Sequence, residues 1–278
     1  MRDDSRQKPT AGERRLDVQA LTRAIEDDVI PRLARRHRLE AEIARTPPAP
    51  TPAPEDGPSE VEVNRFVQQV VEGRADLVDA TIATLRHRGC TVETLFLRLL
   101  EPAARRLGDL WCDDRIDFAE NTVAVGRLQR LMRELSPAFA AEREAAAQAH
   151  RALFAQAPGE QHSFGLSMLA EFFRRAGWDV LGGVGGTVAD AVERVRREWV
   201  DLVGFSVGSE PQLARLAGSI AGVRSASLNP RIVVMVGGPL FADRPDLLAS
   251  TGADTGALNA DQALQQAERL VAERQAGN

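Results

Sequence analysis

The chain has 278 residues, 44% apolar and 27% charged, which is material for about two packed domains and excludes wholesale disorder. Its formal charge of −5 argues against a broad electrostatic footprint for nucleic acid. Two cysteines, Cys90 and Cys112, exclude a disulfide framework; the polar opening MRDDSRQKPT lacks a leader's apolar run, and no apolar stretch is long enough to span a membrane, so a cytoplasmic setting is expected.

Residues 1–45 form a short module of their own. Leu21, Ile25, Val29 and Leu33 recur every fourth residue and share one helical face, with Pro31 kinking or restarting the helix. The basic cluster Arg35, Arg36, His37 and Arg38 reads first as a solvated helix end. Two readings of the apolar stripe stay open: it folds back onto its own chain, or it docks on a partner protein. Residues 46–60, TPPAPTPAPEDGPSE, carry six prolines and read as an extended linker.

From 61 to 149 the apolar period is helical. Val63, Phe66, Val67 and Val70 mark one helix, and Leu77 to Leu85, closed by Gly89, a second. A third starts at Thr91 and runs through LFLRLLEPAARRLGDLW. A fourth carries VAVGRLQRLMREL and is expected to stop at Ser136-Pro137. Four helices with short connections predict an antiparallel cap bundle.

From 150 to 278 short apolar runs alternate with helical segments. RALFAQA, WDVLGG, DLVGFSV, RIVVMVGG and DTGALN have strand length; FGLSMLAEFFRRAG, VADAVERVRREW, EPQLARLAGSIAGVRSA, RPDLLAST and DQALQQAERLVAER read as helices. The alternation predicts an α/β domain with a doubly wound, parallel, five-stranded sheet of flavodoxin-like, Rossmann-like type, in the order 2-1-3-4-5.

In such a fold the turns at the strands' carboxyl ends carry function. Here they hold His162 (in PGEQHSFG), Ser206-Val207-Gly208, and Gly237-Gly238-Pro239. No GxGxxG fingerprint or P-loop opens the first helix, and GGVGG at 182–186 reads as a loop. A lone loop histidine or a Gly-Gly pair is usually structural, so their order and spacing carry the weight. Glu160-x-His162-x-x-Gly165 is followed after 40 residues by Ser206, and 28 residues separate Gly208 from Gly237-Gly238.

This pattern, from Val61 onward, resembles the DxHxxG…SxL…GG signature of cobalamin-binding (B12-binding) domains behind a helical cap. The resemblance implies that His162 is the lower axial ligand of cobalt, with Glu160 holding its other ring nitrogen. It also implies that Gly165, Ser206, Gly208, Gly237 and Gly238 receive the cofactor and its nucleotide tail. The sequence departs from the signature twice, with Glu160 for aspartate and Gly208 for leucine. In the cap, LGDLWCDDRIDFAENTVAVGRLQRL is similar to cobalamin photoreceptor regulators, and Trp111 matches their aromatic lid. Their histidines are replaced by Cys112 and Asn121-Thr122. Trp111 reads equally as a core residue, and Cys112 first as a small buried one.

Nearly the whole chain, from IEDDVIPRLARRHR through the cap to APGEQHSFGL, resembles the photosynthesis antirepressors called PpaA or AerR, relatives of the haem-binding SCHIC sensors. That resemblance implies a tetrapyrrole sensor, with cobalamin preferred over haem, whose partner is a DNA-binding transcriptional repressor, without direct nucleic-acid or membrane binding and without catalysis. A corrinoid methyl-carrier or mutase subunit and a cofactor-free scaffold are the competing readings.

Overall fold

The computed structural model describes residues 57–142, 150–158, 160, 163–182 and 186–276, all within the second of the two units into which the chain divides, Thr51–Asn278. The stripe from Leu21 to Leu33, and the proline-rich segment before Gly57, lie outside the described residues.

Helix α1 (Glu60–Glu72) opens on a reciprocal cap: Ser59 accepts from the Glu62 amide, and Glu62 accepts from that of Ser59. It buries Val63, Phe66, Val67 and Val70, the face its period marks out. Helix α2 (Ala75–His87) contributes Ile82 and Leu85. The third helical stretch is not uniform. After α3 (Val92–Leu95), capped by Thr91, the chain widens into a π turn (Phe96–Leu100) before α4 (Glu101–Cys112). Pro102 explains the widening: it has no N–H for the Arg98 carbonyl, and the Glu101 amide reaches back to Phe96 instead.

Helix α5 (Phe118–Ala141), capped by Asp117, corrects the expected stop at Ser136-Pro137. Pro137 lies inside the helix because burial outweighs one lost backbone bond: Phe139 packs on Phe96, ring centroids 4.6 Å apart, and on Phe172 at 4.9 Å.

Beyond the cap come β1 (Arg151–Gln156), α6 (Phe164–Arg175), β2 (Asp179–Val180), α7 (Val188–Arg197), β3 (Leu202–Ser206), α8 (Glu210–Ala226) and β4 (Val233–Gly237). The chain ends with α9 (Pro239–Asp243), a 3₁₀ turn (Pro245–Ser250), β5 (Thr255–Ala257) and α10 (Ala260–Ala276). All pairings are parallel, in the order β2-β1-β3-β4-β5, as the alternation predicts. The expected helix RPDLLAST is corrected: the chain turns helical at once after Gly238, and 245–250 is 3₁₀. Gly186, the last residue of the expected GGVGG loop, forms a parallel bridge with Ala155 of β1.

The two sheet faces separate by alternation. Leu153, Ala155, Val203, Phe205, Val234 and Val236 pack against α7 and α8; Ala152, Phe154, Leu202, Val233 and Met235 pack against α6 and α10. Gly204 leaves room for the Phe154 ring, which a Cβ there would meet at 2.8 Å. Among the described residues, no helix is long and apolar enough to cross a membrane.

Candidate functional site

Parallel register brings the strand ends to one line. Gln156 pairs with Ser206, Ser206 with Gly237, and Gly237 with Ala257, so the last residues of β1, β3, β4 and β5 form a single rung. The turns that leave this rung are stitched to it. The Ala157 amide donates to the Ser206 carbonyl at 3.0 Å, and the Val207 amide to that of Gly237 at 2.9 Å. Ser206 is half-buried within it.

The glycines on this edge have different reasons to be glycine. Gly238 has φ +111°, and a Cβ on it would meet the Val207 backbone, with N at 2.8 Å and C at 3.0 Å. A Cβ on Gly237 would meet the Ala257 carbonyl oxygen at 3.1 Å. Gly165, in the first turn of α6, has open space where a side chain would project, with nothing within 4 Å. At Gly208 the obstacle is a side chain: a Cβ would overlap Glu160 Oε2 and lie 3.2 Å from Cδ.

Glu160 is buried, 7% exposed, its amide donating to the Ala157 carbonyl at 2.9 Å. His162, the expected metal ligand, lies outside the described residues, between the described Glu160 and Ser163. The sequence reading passed over Gln212, whose Oε1 accepts from the Gly208 amide at 2.8 Å and the Ser209 amide at 3.3 Å, fixing the β3 turn. The Ser209-x-x-Gln212 spacing, a capping-box pattern at the start of α8, was the available signal.

The cap reaches this edge through α5. Gln129 Nε2 donates to Ser163 Oγ at 3.1 Å, and Phe139, ten residues on, packs against Phe172 of α6 and beneath the Arg175 guanidinium, 4.3 Å from its ring centroid. Arg175 also pairs with Glu93 at 2.5 Å. The two helices therefore run side by side in the same direction. Because α6 starts at the strand-carboxyl edge, the eleven residues of α5 before Gln129 project about 16 Å past it. Phe118, Thr122 and Gly126 continue the Gln129 stripe along this overhang and are exposed, with nothing within 4 Å of where a Gly126 Cβ would sit.

Trp111 closes the same end of the cap, 38% exposed, edge-on to Phe118, itself 66% exposed, at 6.3 Å. It is not the packed core residue of the alternative reading. Cys112 beside it is exposed, correcting its expected burial, because α4 ends there in solvent; Cys90 is the buried cysteine, and burial pushes its thiol pKa up. The arrangement is a strand-carboxyl edge with the exposed aromatic side chains of the cap on the same side, the place where ligands bind in open parallel sheets.

Comparison with known proteins gives this geometry a context. Residues 150–268 match the family described as the B12 binding domain. A Rhodobacter capsulatus protein, described as an uncharacterized 20.5 kDa protein in the bchF-crtJ intergenic region, is 31% identical over 163 residues, covering 59% of this chain and 84% of that one. Among solved structures, the Methanosarcina barkeri monomethylamine corrinoid protein matches with a TM-score of 0.61 at 18% identity, over 75% of this chain and 98% of that one, a likeness of fold.

Proposed function

The chain belongs to the B12-binding-domain family, and on that premise we propose that it is a cobalamin-dependent regulator whose output is contact with a DNA-binding transcriptional repressor. Cobalamin is the cofactor that the 150–268 domain implies, and the residues present fit it. Gly165 leaves open space at the mouth of α6, and Ser206 and Gly237 end their strands side by side on the same edge. When bound, the cofactor supplies a cobalt centre whose axial bonds respond to light or redox state. His162 would hold it, oriented by Glu160; Ser206, Gly237 and Gly238 would receive the nucleotide tail, with Gly208 beside them giving the Glu160 carboxylate its room. Trp111 and Phe118 would exclude water from the cofactor.

The observation that carries the reading is the α5 overhang. A ligand seated on the strand-carboxyl edge meets Phe118, Thr122 and Gly126, so its state reaches an exposed surface of the cap without any catalytic step. The position of the Rhodobacter capsulatus relative between bchF and crtJ supports a link to a repressor of photosynthesis genes.

Parallel titration of the purified protein and its His162→Ala variant with hydroxocobalamin and haemin tests the cofactor. Cobalamin uptake lost in the variant, with an unchanged far-UV signal, is expected; haemin uptake alone overturns it. Repressor affinity, measured with and without cofactor for the full chain and for residues 46–278, tests the output. Cofactor-dependent affinity that weakens on truncation is expected. Cobalamin uptake with no repressor binding in either state favours the corrinoid-carrier reading.

A further inference from the structure

The two departures from the B12 signature, Glu160 and Gly208, touch each other. The backbone at Gly208 lies outside the left-handed region, unlike that at Gly238, so the turn itself does not call for glycine. What excludes a side chain is the Glu160 carboxylate, with Cδ 3.2 Å and Oε1 3.4 Å from the place a Cβ would take and Oε2 overlapping it. Neither partner's backbone is free to withdraw. Gln212 holds the amides of Gly208 and Ser209, while the Glu160 amide is bound to Ala157, whose own amide is bound to Ser206.

We infer that Glu160 and Gly208 are a matched pair, in which the glycine seats the longer carboxylate at the strand-carboxyl edge and so acts as a positioning residue for cofactor binding. The absence of a side chain at position 208 leaves the longer glutamate carboxylate its room. The obstacle at position 208 is the end of a flexible side chain, so a new side chain there displaces the carboxylate more readily than it unfolds the turn. Gly208 then governs affinity through Glu160, with no contact of its own to the ligand required. This inference rests on the cobalamin reading for its binding readout alone.

The test is a double-mutant cycle of Gly208→Leu and Glu160→Asp, read in two ways. In hydroxocobalamin titrations, Gly208→Leu is expected to weaken binding by about 10–100-fold and to shift the cobalt absorption bands that report the lower axial ligand. Glu160→Asp with Gly208→Leu is expected to restore both towards the wild type, because the shorter carboxylate leaves the leucine its room. In the cofactor-free protein, Gly208→Leu is expected to lower the Tm, and adding Glu160→Asp to raise it again. Additive losses in both readouts overturn the pairing. If wild-type protein takes up no cobalamin, the functional reading fails instead, and the cofactor-free Tm cycle still decides the pair. Rescue of Tm without rescue of binding limits the pair to a packing role and overturns the positioning inference.

Discussion

The Gln129 side chain of α5 donates from Nε2 to the Ser163 hydroxyl at 3.1 Å, joining the helical cap to the turn from which α6 departs. Ser163 directly follows His162 in the chain, so the cap is tied to the segment expected to carry the metal ligand. Farther along, Arg175 and Phe139 repeat the attachment with an ion pair to Glu93 and a cation–π contact. A shift at the sheet edge is therefore coupled to α5 by contacts at two heights.

Removing the upper contact is expected to loosen the overhang without unfolding the sheet. A neutral, half-buried hydrogen bond contributes about 0.5–1.5 kcal/mol, a small part of a domain's stability. In Gln129→Ala, faster amide exchange over residues 118–129 with unchanged protection of β1, β3 and β4 is the expected pattern. Unchanged exchange in α5 would show that Arg175 and Phe139 seat the cap by themselves.

The cap's pH response has a defined sign at Glu101, in the first turn of α4. Burial, opposed by the Arg105 partner, holds its carboxyl above the ordinary value of 4.5. Such a group keeps its proton longer folded than unfolded, so its stabilising contribution is complete below pH 4.5 and is lost as pH rises through the folded value. Glu101→Gln is expected to raise the Tm at neutral pH and to flatten the Tm against pH in the weakly acidic range. A steeper profile in the variant would mean that the Arg105 pair outweighs burial.

Sheet order was legible because strands and helices alternate with clear apolar runs, and parallel register then forces Ser206 and Gly237 onto one rung. The misread elements are those where packing overrides a local rule. Pro137 stays inside α5 because Phe139 is buried beyond it, and Pro102 is absorbed by a π turn. The 3₁₀ turn at 245–250 follows a helix that begins directly on Gly238, leaving no room for the expected longer one. At the strand-carboxyl edge, Ser206 and Gly237-Gly238 were singled out from sequence. Gln129 and Gln212 were not, since their roles depend on what tertiary structure places opposite an ordinary amide.

Gly238→Ala is expected to damage the β4 turn itself. The residue has φ +111°, and its Cβ would press on Val207 backbone atoms, which cannot swing aside as a side chain can. A strained backbone of this kind costs about 1–3 kcal/mol before the overlap is counted. A fall in Tm, together with loss of cobalamin uptake, is the outcome that urea or thermal unfolding and titration check. A variant with wild-type stability would show that the turn relaxes into another conformation.

Gly165→Ala separates a glycine kept for a ligand from one kept for the fold. The position lies in the first turn of α6, its backbone is helical, and a new Cβ would meet nothing within 4 Å. On conformational grounds alone, alanine is the better residue there, because replacing glycine at a compatible site stabilises by about 0.4–1 kcal/mol through the unfolded chain. The structure thus gives no folding reason for glycine at this place. If the open space receives the cofactor, the added methyl occupies part of it and binding weakens. Gly165→Ala is therefore expected to raise the Tm of the cofactor-free protein slightly while reducing its affinity for hydroxocobalamin several-fold. Opposite signs in the two measurements are the mark of a position reserved for a ligand. A rise in Tm with unaltered cobalamin affinity would place the cofactor elsewhere on the strand-carboxyl edge and remove Gly165 from the site.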